Sequence, residues 1–473
     1  MAAPPRHIRR QTDCRQANGR QAIRRKAIRR KTVGLVSGFA LLPVLTGCGG
    51  LSVTGGDPDS FTTMGYGMGD ALATDRIDTA RAALPGLHIK VNEGAFDQQQ
   101  FLSAVAAGDP PDVVHMDRAL IGGYAARGAL MPLTDCISRK HIDTGDYYRT
   151  AIDEGSLDGV VYALPDSYDS RILLMNDKVL KENGTDPADV TTSDWSALKK
   201  LTQKLQRHHG DKLTRIGFDP KIPEFFPLWA KANGADLISA DGRTAQLNGP
   251  RVVEALRYAV GLIDAQGGWG RFKALRDSFD QFGAKNEFVR GQIGAFPMED
   301  WYVNVLAGTS PHIDLGTDTF KDRKGNMLNW TSGYGWAIPK GSPHAAEACT
   351  FVKTMTATDT WVHAAKAKAK QVRKTGSPYT GDVTGNAVAD RIIEKDVWKP
   401  TGNAAFDKAT RTLYTISGKG FTVPSNAAGS EFKDAWQNAV NRVLSGEQSP
   451  QQALDQGQRE AQSALDLAHE GER

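Results

Sequence analysis

The chain has 473 residues, 40% hydrophobic and 24% charged, an ordinary balance for a folded polypeptide and enough length for two or three lobes. Its formal net charge of +4 is uneven: the first 47 residues hold 11 of the 58 basic residues and one of the 54 acidic ones, so the rest is net −6. A mildly acidic body lacks the basic footprint of a nucleic-acid partner, and that class is excluded.

At the N-terminus, basic residues stop at Lys31 and the run 32–46, TVGLVSGFALLPVLT, is apolar. It falls below the roughly 18 residues a spanning helix needs, so 1–47 reads as a cleaved export signal. Its end, Leu45-Thr46-Gly47-Cys48, resembles the bacterial lipobox, in which the cysteine thiol receives a diacylglycerol. This implies lipid attachment at Cys48, a Gly/Ser/Thr-rich tether over 48–57, and anchoring at the extracellular face of the bacterial membrane. The doubled AIRRK at 22–26 and 27–31 leaves both the general and the twin-arginine export routes open, and the long basic region leaves the true start open. Of the remaining cysteines, Cys136 and Cys349 fit either a disulfide or two separate buried thiols, and the expectation is separate thiols.

Short strands then alternate with helices. The stretch FTTMGYGMGD (61–70) is an extended run, a glycine-rich loop and a helix start at Asp70. LHIKVNE (87–93) alternates like a strand; DQQQFLSAVAAGD (97–109) places Phe101 and Val105 on one helical face and ends at Gly108. DVVHMD (112–117) reads as a buried strand. Further helices are predicted in TSDWSALKKLTQKL, behind a Ser193/Asp194 cap, in NGPRVVEALRYAVGLI, with Pro250 in its first turn, and after Ser449-Pro450. The QRHHGDK segment reads as the solvated end of the first of these. The whole pattern predicts α/β layers.

Enzyme signatures are largely missing. The sequence contains no Gly-x-Ser-x-Gly elbow, no Walker A loop and no His-Glu-x-x-His pair, and the ten histidines are scattered. The loop Gly65-Tyr66-Gly67-Met68-Gly69-Asp70 approaches a dinucleotide fingerprint, with Glu93 as the ribose acid. However, Asp70 stands where the third glycine belongs, and its charge repels a phosphate. No cofactor or metal is expected. The pairs Asp166/Asp169 and Glu299/Asp300 keep a secreted glycoside hydrolase as an enzymatic alternative.

Four stretches in order resemble the family 1 extracellular solute-binding proteins of ABC importers. They are QQQFLSAVAAGDPPDVVHMD with YAARGALMPLTD, then DGVVYALPDSYDSRILLMNDKVLKENG, then FVRGQIGAFPMEDWYV, then SGYGWAIPKGSPHAAEACTFVKTMTA. The resemblance runs from about Asp57 through the C-terminal helices. It implies a two-lobed α/β fold of the periplasmic-binding-protein type II kind, joined by several hinge crossovers. Residues 58–165 and 331–372 would form the first lobe, and 166–330 and 373–473 the second. It implies a monomeric binding protein, not an enzyme, that traps a sugar or oligosaccharide and hands it to membrane permease subunits.

A pyranose offers C–H faces to aromatic rings and hydroxyls to carboxylates. On that chemistry the family positions imply ligand contacts from Trp301, Tyr334, Trp229 and Tyr66, and from Asp117, Asp169, Arg171 and Glu299. Glu299 and Asp300 replace the glycine-proline usual before the family's tryptophan, and Met175 replaces a usual tyrosine. The extra acids leave room for a cationic ligand: an amino sugar, a polyamine or a peptide.

Overall fold

The computed structural model describes residues 59–470; the expected export signal, the lipid site Cys48 and the tether lie outside them. Two β-sheets organise the chain. The first runs His88–Asn92, Ser60–Met64, Val113–Asp117, Tyr334–Ala337, Ala163–Pro165 in spatial order. Its first three strands are parallel, and Tyr334–Ala337 inserts antiparallel between Val113–Asp117 and Ala163–Pro165. Helices on both faces cover it, which is why Val113-Val114-His115-Met116 is buried along its whole length and reads as a continuous apolar run.

The second sheet has seven strands around Asp169–Asn176, whose residues from Ser170 onward are all buried. This strand pairs antiparallel with Ile293–Glu299 on one side and Leu315–Lys321 on the other. The helices Trp195–Leu205, Pro250–Asp264, Ala404–Ser417 and Ser430–Leu444 are among those that complete one large apolar core. Their starts follow local chemistry: Asp194 caps the first by accepting the Ala197 N–H at 2.9 Å, and Pro250 opens the second. The two sheets with their helices are the two lobes of the expected α/β fold.

The chain passes from the first sheet to the second between Pro165 and Asp169, and back between Ser332 and Tyr334. A third passage follows helix Thr358–Lys374. The expected boundary placed everything after 372 in the second lobe. Instead Tyr379, Ile393, Val397 and Trp398 bury themselves with Trp361 against that helix, and the chain returns to the second sheet with Ala404–Ser417. A second departure concerns the histidine pair. Arg207–His209 is not a helix end but an exposed edge strand, hairpinned to Lys212–Phe218 by Gly210 at φ +57°. No helix among the described residues is long and apolar enough to cross a membrane.

The third departure is the cysteines. Helices Thr134–Lys140 and Ala345–Thr356 pack side by side on the first lobe, with Cys136 and Cys349 buried between them and disulfide-bonded, their Cα atoms 5.6 Å apart. Helix packing brings together residues 213 positions apart, which spacing alone could not show. Closing so long a loop restricts the unfolded chain, so Cys136→Ser is expected to lower stability by about 2–4 kcal/mol. Denaturant unfolding of variant and wild type, each with and without reductant, checks this; a reductant-insensitive wild-type midpoint would show the bond unformed.

Candidate ligand-binding site

A cavity of about 240 Å³ lies between the lobes. Each wall follows from strand register. In the first lobe Val113–Asp117 ends at the cavity, and Tyr334 on the neighbouring strand pairs with Asp117. The Asp117 carboxylate accepts the Ala119 N–H at 3.0 Å and holds the Lys433 ammonium at 2.7 Å. The Tyr334 ring stacks on His115, with centroids 5.0 Å apart and planes 13° apart, while remaining 44% exposed.

In the second lobe the antiparallel register sets Arg171 opposite Glu299, and their side chains meet at 2.7 Å. The Arg171 guanidinium lies 4.2 Å from the centroid of the Trp330 ring and also donates to the Asp169 carbonyl at 2.7 Å. Asp169 itself pairs with Ser332 at the start of the same strand and lines the cavity. Phe432, Lys433, Trp436 and Gln437 close the third side from helix Ser430–Leu444, sharing one face at spacings of three and four. That helix approaches because Gly122 and Gly123 have no side chains. A Cβ on Gly122 would sit 2.4 Å from the Asn426 carbonyl oxygen, and one on Gly123 would sit 3.1 Å from the Gly429 Cα.

Charge is concentrated here. Burial, then Glu299, pushes Asp169 up to about 7 against the pull of Arg171 and Arg118. Asp300, buried and accepting the Trp301 N–H on its carboxylate at 2.9 Å, is raised by burial and then by Asp169 and Glu299. Burial works against the Lys433 charge, but the Asp117 carboxylate outweighs it and the net shift is upward. The Tyr334 hydroxyl is raised by burial and then by Asp117, Asp169 and Glu299, which places all three acids around that ring. Among the described residues no group of three or more His, Cys, Asp or Glu side chains is arranged to hold a metal ion.

Asp117, Asp169, Arg171, Glu299 and Tyr334 therefore meet in one cavity. Trp301 stands just behind it: its indole N–H donates to Glu299 Oε2 at 2.8 Å and its ring stacks on the exposed Phe282, 5.8 Å away. Two expected residues lie elsewhere. Trp229 is fully buried, its N–H held by the Pro220 carbonyl at 2.8 Å and its ring packed edge-on against Phe320 and Phe218. Tyr66 is buried too, between His115 and Trp336. Gly65, at φ +87°, turns the loop so tightly that a Cβ there would lie 2.2 Å from the His115 carbonyl oxygen, and this drives Tyr66 inward. Asp70 caps the following helix through the Ala73 N–H at 2.9 Å. Asp166 is buried away from the cavity, so it does not join Asp169 as an acid pair. Trp330, Phe225, Lys433 and Trp436 line the cavity without having been expected. Trp330-x-Ser332 at strand period, and the 432/433/436/437 helical face, were the available signals.

A cleft between two hinged α/β lobes, lined by rings and carboxylates, defines a ligand-trapping binding protein. A family profile of bacterial extracellular solute-binding proteins matches residues 76–370, and the chain belongs to that family. Among solved structures, CpMnBP1 with mannobiose bound is 22% identical at TM-score 0.70, covering 85% of this chain and 100% of its own. Lmo0181 of Listeria monocytogenes in complex with cycloalternan is 16% identical at 0.69, covering 86% and 99%. Maltose-bound T. maritima MalE3 is 17% identical at 0.65, covering 86% and 100%. At these identities the likeness is one of fold.

Asp169 gives a pH prediction. Its folded-state value lies above its ordinary 3.8, so between about pH 4 and pH 7 the folded state holds the extra proton. Stability from this group is full at the acid end and is lost as pH rises through 7. Asp169→Asn should flatten that part of the wild-type profile and raise the ligand-free melting midpoint at pH 8 by about 2 °C. A wild-type-minus-variant difference that does not change with pH would refute the shift.

Proposed function

We propose that this protein captures a saccharide between its lobes and delivers it to the permease of an ABC importer. The reading rests on one observation: the half-exposed Tyr334 ring and the Trp330 ring share a cavity with the carboxylates of Asp117, Asp169 and Glu299. Rings of that kind cover the C–H faces of a pyranose, and carboxylates accept its hydroxyl protons. The saccharides bound by the solved relatives support the same ligand class. The cavity lies near the small end of the roughly 300–1,000 Å³ common for small-molecule sites, which suits a short saccharide. Trp301 acts through Glu299, whose carboxylate it steadies. Closure of the lobes on ligand is a population shift with no bond made or broken. The protein works as a monomer held to the outer face of the membrane by a lipid on Cys48.

A thermal-shift screen of mono- and oligosaccharides against the purified protein tests this. A true ligand raises the midpoint with concentration, as ligand binding to the folded state alone requires, and is recovered intact afterwards. Absence of any stabilising saccharide, or recovery of cleaved products, would overturn the reading. Tyr334→Ala and Trp330→Ala should each weaken the ligand found by about tenfold, the scale of one lost ring contact. Cys48→Ala should move the protein from the membrane to the soluble fraction of cells.

A further inference from the structure

The carboxylates in the cavity differ in one respect. Asp117 is paired with Lys433 at 2.7 Å, Glu154 with Arg118 at 2.9 Å, Glu299 with Arg171 at 2.7 Å and Glu224 with Arg276 at 2.8 Å. Each acid there has its own cation except Asp169. Its two carboxylate oxygens have no hydrogen-bond or ion-pair partner among the described residues; Arg171 reaches only its backbone carbonyl. Facing it are Glu299, Asp300, Asp117, Arg171 and Arg118, and both arginines are already committed to other acids. The wall of the cavity is thus neutralised pair by pair, with one carboxyl group left without a cation where a ligand would sit.

We infer that the preferred ligand is a saccharide bearing a basic amine, whose ammonium group completes the charge of Asp169. The inference rests on the saccharide reading above and sharpens its ligand class. A neutral sugar of the same shape shuts an uncompensated carboxylate into a closing cavity, where the loss of water costs more than hydroxyl contacts return. An ammonium supplies both the countercharge and two or three N–H donors, in the charge-assisted bonds that are about twice as strong as neutral ones. The burial that raises Asp169 toward neutrality in the empty cavity is the same desolvation that a bound cation relieves. Selection is then mainly against the neutral analogue.

Calorimetry on the full chain with matched pairs decides it: gluco-, manno- and galacto-saccharides, each as the neutral sugar, the free amine and the N-acetylated amine. The free-amine member of at least one pair should bind about tenfold or more tightly than its neutral and acetylated partners. This comparison is made within the wild type and needs no variant. Asp169→Asn should then erase the preference, bringing the free amine to within about threefold of its neutral and acetylated partners in the same variant. Neutral members that bind as well as the amines would overturn this inference and leave the saccharide reading standing. If no saccharide binds, both fall; spermidine binding in that case assigns the free carboxylate to a non-sugar amine.

Discussion

One buried carboxylate holds the first lobe and its passage to the second in place. Asp166 accepts the Arg76 guanidinium, the His115 Nε2 at 2.9 Å and the Trp336 indole N–H at 3.0 Å. Burial alone would raise its proton affinity, but Arg76 and His115 outweigh that and hold it well below the ordinary carboxylate range. Arg76 in turn lies 3.5 Å from the centroid of the Trp361 ring and donates to the Met355 carbonyl. Five elements distant in sequence therefore converge on the Arg76–Asp166 ion pair: the first helix, the third strand, the returning strand, and the two long helices before the third passage. A buried arginine is tolerable only because this partner is there.

That node reaches the cavity through His115. Its Nε2 is fixed by Asp166 and its Nδ1 lies 3.1 Å from the Gly65 carbonyl, so the ring cannot rotate. Tyr334 lies flat on that ring. The plane offered to a ligand is thus set from the core of the lobe, two residues away from solvent. The backbone adds to this: the Asp166 N–H donates to the Tyr334 carbonyl at 2.9 Å, and the Gly385 N–H donates to the Asp166 carbonyl at 2.8 Å. Arg118 clasps the same place from the other side, giving hydrogen bonds to the Tyr334 and Ser167 carbonyls. The first two passages are thus bonded to each other, and Gly385, on the segment leading to the third, is bonded to them, which is the construction a hinge needs. Further out the lobes meet through adjustable contacts, Arg127 with Glu431 and Arg243 with Asp158, both solvent-exposed pairs worth little individually.

Much of this was legible in the sequence, and the limits have physical causes. Periodicity and caps located the helices Gln98–Ala107, Trp195–Leu205, Pro250–Asp264 and Pro450–Glu470, and the order of the four family-like stretches matched the two sheets. Polar residues at strand ends, Asp117, Asp169 and Glu299, reached the cavity because strand ends point there whatever the details of packing. Aromatic residues were harder. A ring's family position says that it lies near the cleft, but whether it faces cavity or core depends on a single backbone turn, as Gly65 shows for Tyr66. Trp229 fell to the same ambiguity on a short helix buried on nearly every side. The cysteine pairing and the wall from helix Ser430–Leu444 depend on contacts between segments hundreds of residues apart, and no local pattern encodes those.

Asp166 and Asp169 show most sharply what sequence leaves undetermined. They are the same residue type, three positions apart, on one crossing segment. Asp166 still belongs to the first lobe, where Arg76 and His115 were placed to meet it, and it stays charged. Three residues on, the chain has entered the second sheet at its open end, Arg171 is turned toward Glu299, and no cation remains for Asp169. Opposite shifts in two neighbouring carboxylates follow from that step across the hinge alone. One is compensated by the protein and builds the lobe. The other lacks a partner within the chain, and a group of that kind facing a cavity is completed only by something that enters it.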